Sequence, residues 1–262
     1  MDLWYALIQG IVEGITEFLP VSSTAHLMLT AHFLGIPATQ FQKSFEIIIQ
    51  FGAICSVIAL YWRSFLNVVV LKKLLVAFIP TGAIGFVAYK AVKVLLGDVT
   101  IVLWTLLFGG VALIVFEYWY KRRRSDVPPE DDSPTAHRVS HISYGRCLAI
   151  GVFQAIAIVP GVSRSAATII GGLALGIPRT TIVEFSFLLA VPTMLAATGF
   201  DFLKNYRVFS SADFSTLAVG FVVSFVVALA SIRFLLRFIK TNDFTLFGIY
   251  RVVVAALLFF FL

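Results

Sequence analysis

The sequence predicts an all-α polytopic membrane protein, with six transmembrane helices and two re-entrant helical hairpins arranged as an inverted-topology repeat. Three observations carry that reading. Of the 262 residues, 60% are apolar and only 13% are charged, whereas an ordinary soluble domain carries about 25% charged residues. The apolar residues fall in long runs separated by short clusters of Lys and Arg. Two of those runs are broken by proline, and the two breaks resemble each other at a fixed offset.

Residues 3 to 18 and 22 to 36 are apolar helical runs split by Leu19-Pro20. Each is shorter than the roughly 20 residues a helix needs to cross a bilayer. A pair of short helices returning to the side it came from is a re-entrant hairpin. Irregular backbone at membrane depth is tolerated only where protein buries it or it lines an aqueous cavity. The Ser22, Ser23, Thr24 run that follows the break is therefore a candidate binding loop. Full-length spans are expected at about 44 to 62, 74 to 96 and 101 to 120, with Trp62, Trp104, Trp119 and Tyr120 near their ends as interfacial aromatics. Residues 121 to 144, rich in charge and proline, read as a polar solvent loop. A second broken pair follows at about 145 to 158 and 164 to 177, then spans at about 181 to 200, 213 to 237 and 243 to 262.

The chain reads as one membrane domain, 1 to 262, of two repeats at about 1 to 120 and 145 to 262, joined by the polar loop. At an offset of 141 residues Gly10 matches Gly151, Ser22 matches Ser163, Ala25 matches Ala166, and Leu34-Gly35-Ile36-Pro37 matches Leu175-Gly176-Ile177-Pro178. A hairpin followed by three full spans leaves the second repeat opposite to the first, the arrangement that lets two broken helices meet near the midplane. The basic residues set the orientation. Arg63, Lys72, Lys73, the run Lys121 to Arg124, Arg138, Arg146, Arg233, Arg237 and Lys240 share one side, which is expected to be cytoplasmic. The termini then lie outside. Residues 1 to 10 contain no basic leader and no small-residue cleavage pattern, so the first segment is expected to stay in the mature protein.

The net charge of +6 follows these topology signals, and a nucleic-acid partner is excluded on that ground. Cys55 and Cys147 lack ligand spacing and read as free packing residues.

Ionisable groups inside apolar segments are costly and mark functional sites. Glu13 and Glu17, at i and i+4, share one helix face and need a cation or a shared proton between them. A hard divalent ion such as Mg²⁺ or Ca²⁺ takes carboxylate, phosphate and water oxygens. A solvated vestibule face or a proton relay would explain the same pair. Pro160-Gly161-Val162-Ser163-Arg164-Ser165 has the makings of an oxyanion cradle, ending one helix and opening the next with hydroxyls, free N–H groups and a planar guanidinium. His26, one turn beyond Ser22 and Ser23, is either a general acid or base or a structural histidine. Ser22, Ser23 and Thr24 also suit helix caps. Glu46, Gln50, Gln154, Glu184 and Ser186 are further polar groups in or near spans. Arg251, within the last span, is expected to pair with a buried acid, and Glu117 is expected at the interface.

EGITEFLPVSSTAH and PGVSRSAAT resemble the two signature regions of bacterial undecaprenyl pyrophosphate phosphatases of the bacitracin-resistance type. The likeness continues through FEIIIQFGAI at 45 to 54, EFSFLLAVP at 184 to 192 and IYRVVVAA at 249 to 256, nearly the whole chain. It implies a membrane hydrolase that converts undecaprenyl diphosphate to the monophosphate with a divalent metal, Mg²⁺ or Ca²⁺. The lipid carrier is thereby recycled for peptidoglycan synthesis, and resistance to bacitracin follows. It implies a site open to the outer face of the bacterial cytoplasmic membrane. Carried onto this chain, Glu13 and Glu17 match the acidic motif and metal ligands, Ser23 the serine proposed as nucleophile, and His26 the motif histidine. Arg164, with Ser163, Ser165 and Thr168, matches the phosphate-binding motif, and Ser22, Thr24 and Gln154 are expected beside the substrate. Ala25 stands where some members carry Gly. The competing class is a lipid-phosphate flippase or ion-coupled transporter, since inverted repeats with broken helices are also a transporter architecture. The partners are the lipid substrate and the bilayer, with a homodimer left open.

Overall fold

A computed structural model describes residues 2–95, 99–123, 133–205 and 213–261. Every regular element among them is helical. The first half holds α1 (Leu3–Thr16), α2 (Ser23–Phe33), α3 (Gln40–Phe65), α4 (Val68–Leu95) and α5 (Val99–Arg123). After a short α6 (Thr135–Ser140), the second half holds α7 (Tyr144–Ala155), α8 (Arg164–Ala174), α9 (Arg179–Asn205), α10 (Phe214–Phe238) and α11 (Thr245–Phe261).

Five stretches are long and apolar enough to cross a membrane: Gln40–Phe65, Val68–Ala88, Val99–Arg122, Arg179–Lys204 and Phe214–Phe238. Of the six expected spans, α11 is the exception at 17 residues. It rises about 25 Å, against a hydrocarbon core of about 30 Å. Large apolar side chains such as Phe86, Phe108 and Leu203 point outward, as suits faces that meet an apolar environment such as acyl chains.

Both broken pairs are present, and local chemistry explains where they break. Pro20 has no N–H to donate and steers Leu19 away from helical geometry, so α1 stops at Thr16 and a run of turns leads to α2. In the second pair α7 tightens into a 3-10 turn at Ile156–Ile158, and Pro160-Gly161 reverses the chain, Gly161 at φ 85°. Both pairs also end alike. Gly35 (φ 63°) and Gly176 (φ 75°) take the left-handed conformation, with Ile36 N–H donating to Ala31 C=O at 2.9 Å and Ile177 N–H to Gly172 C=O at 3.0 Å. The Pro that follows each Ile keeps the helix from continuing.

Packing follows the same correspondence, with α1 to α5 matched in order to α7 to α11. Helix α1 lies along α10 and α7 lies along α4, while α3 meets α9 and α5 meets α11. Gly10 makes the first contact close, since a Cβ there would sit 2.8 Å from the Gly220 carbonyl oxygen. Its counterpart Gly151 lets α7 press onto the Ala77 carbonyl in the same way. The principal core lies where the halves meet, and Phe18 packs edge-on against Phe187 at 5.2 Å between centroids.

Two expectations need correction. Residues 135 to 142 are not a solvated loop: Val139 and Ile142 are buried in the core, Arg138 pairs with Glu184, and the Lys73 ammonium donates to the Ile142 carbonyl. Residues 124–132 of that loop lie outside the described residues, as do Asp98 and Arg207. Glu117 is fully buried rather than exposed at an interface, gripped by both Arg179 nitrogens at 2.6 and 2.9 Å and by the Phe244 N–H at 3.2 Å.

Candidate active site

The α1 helix carries Gln9, Glu13 and Glu17 one turn apart, and Glu17 keeps helical φ/ψ just past the last helical residue, so the three share a face. Helix α3 faces them with Gln42, Glu46 and Gln50 at the same spacing. The Gln42 Nε2 group donates to Gln9 Oε1 at 2.8 Å and to Glu46 Oε1 at 2.9 Å. Glu13 is fully buried, and neither of its carboxylate oxygens meets a hydrogen-bond donor among the described residues.

At the first break Ser22 has φ 75° and ψ 94°, the only positive φ at a non-glycine residue in the described chain. Such strain costs about 1–3 kcal/mol and persists only where the surroundings enforce it. Its consequence is to turn the chain so that Ser23 opens α2 facing back toward α1. Ser23 Oγ donates to Glu17 Oε2 at 2.6 Å. Ser22 Oγ caps α2 by accepting from Ala25 N–H at 3.5 Å.

The second break meets the first. Ser163 caps α8, accepting from Ala166 N–H at 3.2 Å, and its hydroxyl donates to Ser165 Oγ at 2.9 Å. Ser165 Oγ in turn donates across the gap to the Leu19 carbonyl at 2.9 Å. Arg164 Nη2 donates to Glu17 Oε1 at 3.2 Å, and Nη1 to the Ser186 carbonyl at 2.8 Å. Thr168 holds Ser186 from behind, hydroxyl to hydroxyl at 2.5 Å. One Glu17 carboxylate thus receives a hydroxyl from its own half and a guanidinium from the other.

Between the breaks lies a cavity of about 100 Å³ lined by Glu17, Ser22, Ser23, Thr24, Ser163 and Arg164, with Gln50, Ala157, Val162 and Met194 completing the wall. Helices α2 and α8 both begin at it, so two helix N-termini lie at one small polar space. Free N–H groups and the helix dipole make each an anion site. Among the described residues the buried Arg164 Nε–H meets no acceptor, which leaves a donor for a phosphate oxygen.

Most of the expected residues converge here. Ser165 and Thr168 brace the cavity from behind, and Glu13 sits one turn below Glu17 along α1. Two do not line it. Gln154 donates to Thr81 and Thr193 hydroxyls at 2.9 and 3.1 Å, holding α7 to α4 and α9. His26 has both ring nitrogens engaged elsewhere. Its Nδ1 lies 2.7 Å from the Ser22 carbonyl, which can only accept, so Nδ1 carries the proton and the neutral ring's Nε2 accepts from the Tyr250 hydroxyl at 2.7 Å. Arg251 does not pair with a buried acid; its hydrogen bonds go to backbone carbonyls. Gln50 enters the wall because it continues the i, i+4 spacing from Glu46, a signal visible in the sequence. Tyr250 gave no such signal.

Glu13 and Glu17 are the described residues that could hold a divalent cation or share a proton. Glu13 offers two buried oxygens without donors, one turn from Glu17, and buried carboxylates left without donors are stable only if a cation or proton joins them.

The chain is 48% identical over 252 residues to the undecaprenyl-diphosphatase of Sulfurihydrogenibium sp., covering 96% of each chain. It is 47% identical to that of Wolinella succinogenes, covering 100% of this chain and 99% of the relative. It is 43% identical to that of Aquifex aeolicus, covering 97% and 96%. The model of the family described as bacitracin resistance protein BacA matches residues 6–257, and with that match across almost its whole length the chain belongs to this family.

Proposed function

We propose that this membrane protein hydrolyses undecaprenyl diphosphate to undecaprenyl phosphate and inorganic phosphate, recycling the lipid carrier of peptidoglycan synthesis and so conferring resistance to bacitracin. Relatives of nearly equal length carry that activity in their names. The single observation that carries the reading is the Ser23 hydroxyl 2.6 Å from a carboxylate that Arg164 also holds, at a cavity opened by two helix N-termini.

The terminal phosphate enters the cavity against the N–H groups of α2 and α8 and the free Arg164 Nε–H. Ser23 Oγ attacks its phosphorus and passes its proton to Glu17 Oε2. The bond from phosphorus to the bridging oxygen breaks, and undecaprenyl phosphate departs with the electron pair. Water then attacks the phosphoserine, returning a proton to Ser23 Oγ through Glu17, and inorganic phosphate leaves. Phosphoryl transfer depends mainly on positioning and charge stabilisation, and Arg164 supplies both with a planar fork. A divalent cation held by Glu13 and Glu17, Mg²⁺ or Ca²⁺, would add neutralisation of the diphosphate. His26 does not receive the Ser23 proton in this scheme; with Tyr250 it ties α2 to α11.

In the bilayer we read the chain as two inverted repeats of three spans each, with α11 as the short sixth span and the two broken pairs as re-entrant hairpins. The exchanged pairing of α1 with α10 and α7 with α4 supports this reading. The basic clusters mark the cytoplasmic side, so the cavity and both termini face outward and the prenyl tail reaches the site laterally. Purified protein in detergent with undecaprenyl diphosphate and Mg²⁺ or Ca²⁺ tests the reading. Phosphate release that chelator abolishes is the expected result. Silence in a folded sample, together with lipid movement in vesicles, would favour the transport class.

A further inference from the structure

Arg251 is the largest fully buried side chain in the described core, 1% exposed, and among the described residues none of its hydrogen bonds goes to a carboxylate. A buried guanidinium without an acid is costly unless its N–H groups find strong acceptors. Here they find four carbonyls from three segments. Nη1 donates to Pro20 C=O at 3.4 Å in the first break, and Nη2 to Gly161 C=O at 3.2 Å in the second. Nη2 also donates to Thr105 C=O at 2.9 Å, and Nε to Leu106 C=O at 3.3 Å, both on α5.

Pro20 lies three residues before Ser23, and Gly161 three residues before Arg164. One planar group therefore touches the turns that launch both reactive side chains. Neighbouring chemistry supports the same point: Thr105 Oγ1 donates to Pro160 C=O at 2.9 Å, and Tyr250, adjacent in sequence, bonds His26. Gly109 makes the space, since a Cβ there would run into the guanidinium.

We propose that Arg251 is a positioning residue for the reaction: by holding the Pro20 and Gly161 carbonyls on one guanidinium it sets the placement of Ser23 against Arg164. Its positive charge, unmatched by an acid, also stands behind the cavity that takes the diphosphate. The proposal rests on the phosphatase reading for its kinetic consequence, and its geometric consequence is independent of that reading. Lysine keeps the charge but cannot span the separated carbonyls with a planar fork.

The test uses full-length protein in detergent, comparing wild type with Arg251→Lys and Gly109→Ala, the second leaving the arginine in place but crowding its head. Each is measured for kcat and KM with undecaprenyl diphosphate, for unfolding temperature, and for backbone hydrogen exchange by segment. Both variants are expected to lose about 10- to 100-fold in kcat, the range for charge-assisted hydrogen bonds, with KM changed by less than about threefold. Exchange should accelerate at 17 to 24 and 158 to 165 while α3 keeps its protection. Wild-type kcat in both variants, or unchanged exchange at the two breaks, overturns the proposal. So does acceleration throughout the protein, which would make Arg251 a general fold residue. Should wild type itself release no phosphate, the phosphatase reading fails and the exchange pattern alone decides the positioning role.

Discussion

The two helix breaks share a frame and differ in chemistry. Ser22 and Ser163 stand at equivalent places and both cap the helix that follows. At the same offset Ser23 corresponds to Arg164, Glu17 to Ile158, and Glu13 to Gln154. The first break thus keeps the acids and the hydroxyl proposed to react, while the second puts a cation where the first has its serine. The frame needs only residues that stop, turn and cap a helix, so it is alike in both halves. Catalysis needs a base and an electrophile stabiliser aimed at one atom, which identical halves would not supply. Each Glu13-type position shows the same division: Gln154 finds two hydroxyl partners, whereas Glu13 finds none.

The comparison breaks most sharply at Glu17 and Ser23. Glu17→Gln keeps the shape but cannot take a proton, and Ser23→Ala removes the attacking oxygen; each should lower kcat by about 10²- to 10⁴-fold. Ile158→Val, at the counterpart of Glu17, should leave phosphate release near wild type. Next in size is Arg164→Lys, which keeps charge but loses the forked contact to Glu17 and Ser186, for a loss of about 10- to 100-fold in kcat/KM. Glu13→Gln should remove the response of activity to added Mg²⁺ or Ca²⁺ and to chelator. At its counterpart, Gln154→Leu should cost about 1–3 kcal/mol of stability, seen as a lower unfolding temperature, while turnover still responds to the metal. Among the variants expected to impair turnover, the smallest effect belongs to Ser165→Ala, which deletes the hydroxyl bond to the Leu19 carbonyl. A loss of about 1 kcal/mol, roughly fivefold in turnover, is expected.

Local chemistry made much of this legible in the sequence. Pro20 and Pro160-Gly161 placed both breaks, because each acts through its own backbone within a few residues, and Leu34-Gly35-Ile36-Pro37 against Leu175-Gly176-Ile177-Pro178 disclosed the repeat. Glu17, Ser23 and Arg164 stood out because charge and hydroxyls are rare in apolar segments. Groups whose partners are distant in sequence were not legible. Arg251 binds carbonyls 90 to 231 residues away, and no side-chain pattern reports a carbonyl's direction. The His26 ring turned to Tyr250, 224 residues on, for the same reason. Residues 135 to 142 looked solvated by composition, yet Val139 and Ile142 bury themselves once Glu184 and the Ile142 carbonyl neutralise or satisfy Arg138 and Lys73.

The central claim is that acids from one half and the arginine from the other form a single phosphatase site. A double-mutant cycle on the pair that joins them, Glu17→Asp and Arg164→Lys, measured as phosphate released from undecaprenyl diphosphate by folded protein, tests it most directly. Groups acting on one reacting atom are strongly coupled, so the double variant should be little worse than the more damaged single variant, a coupling of about 1–3 kcal/mol. Losses that simply multiply, with no coupling, would contradict the account.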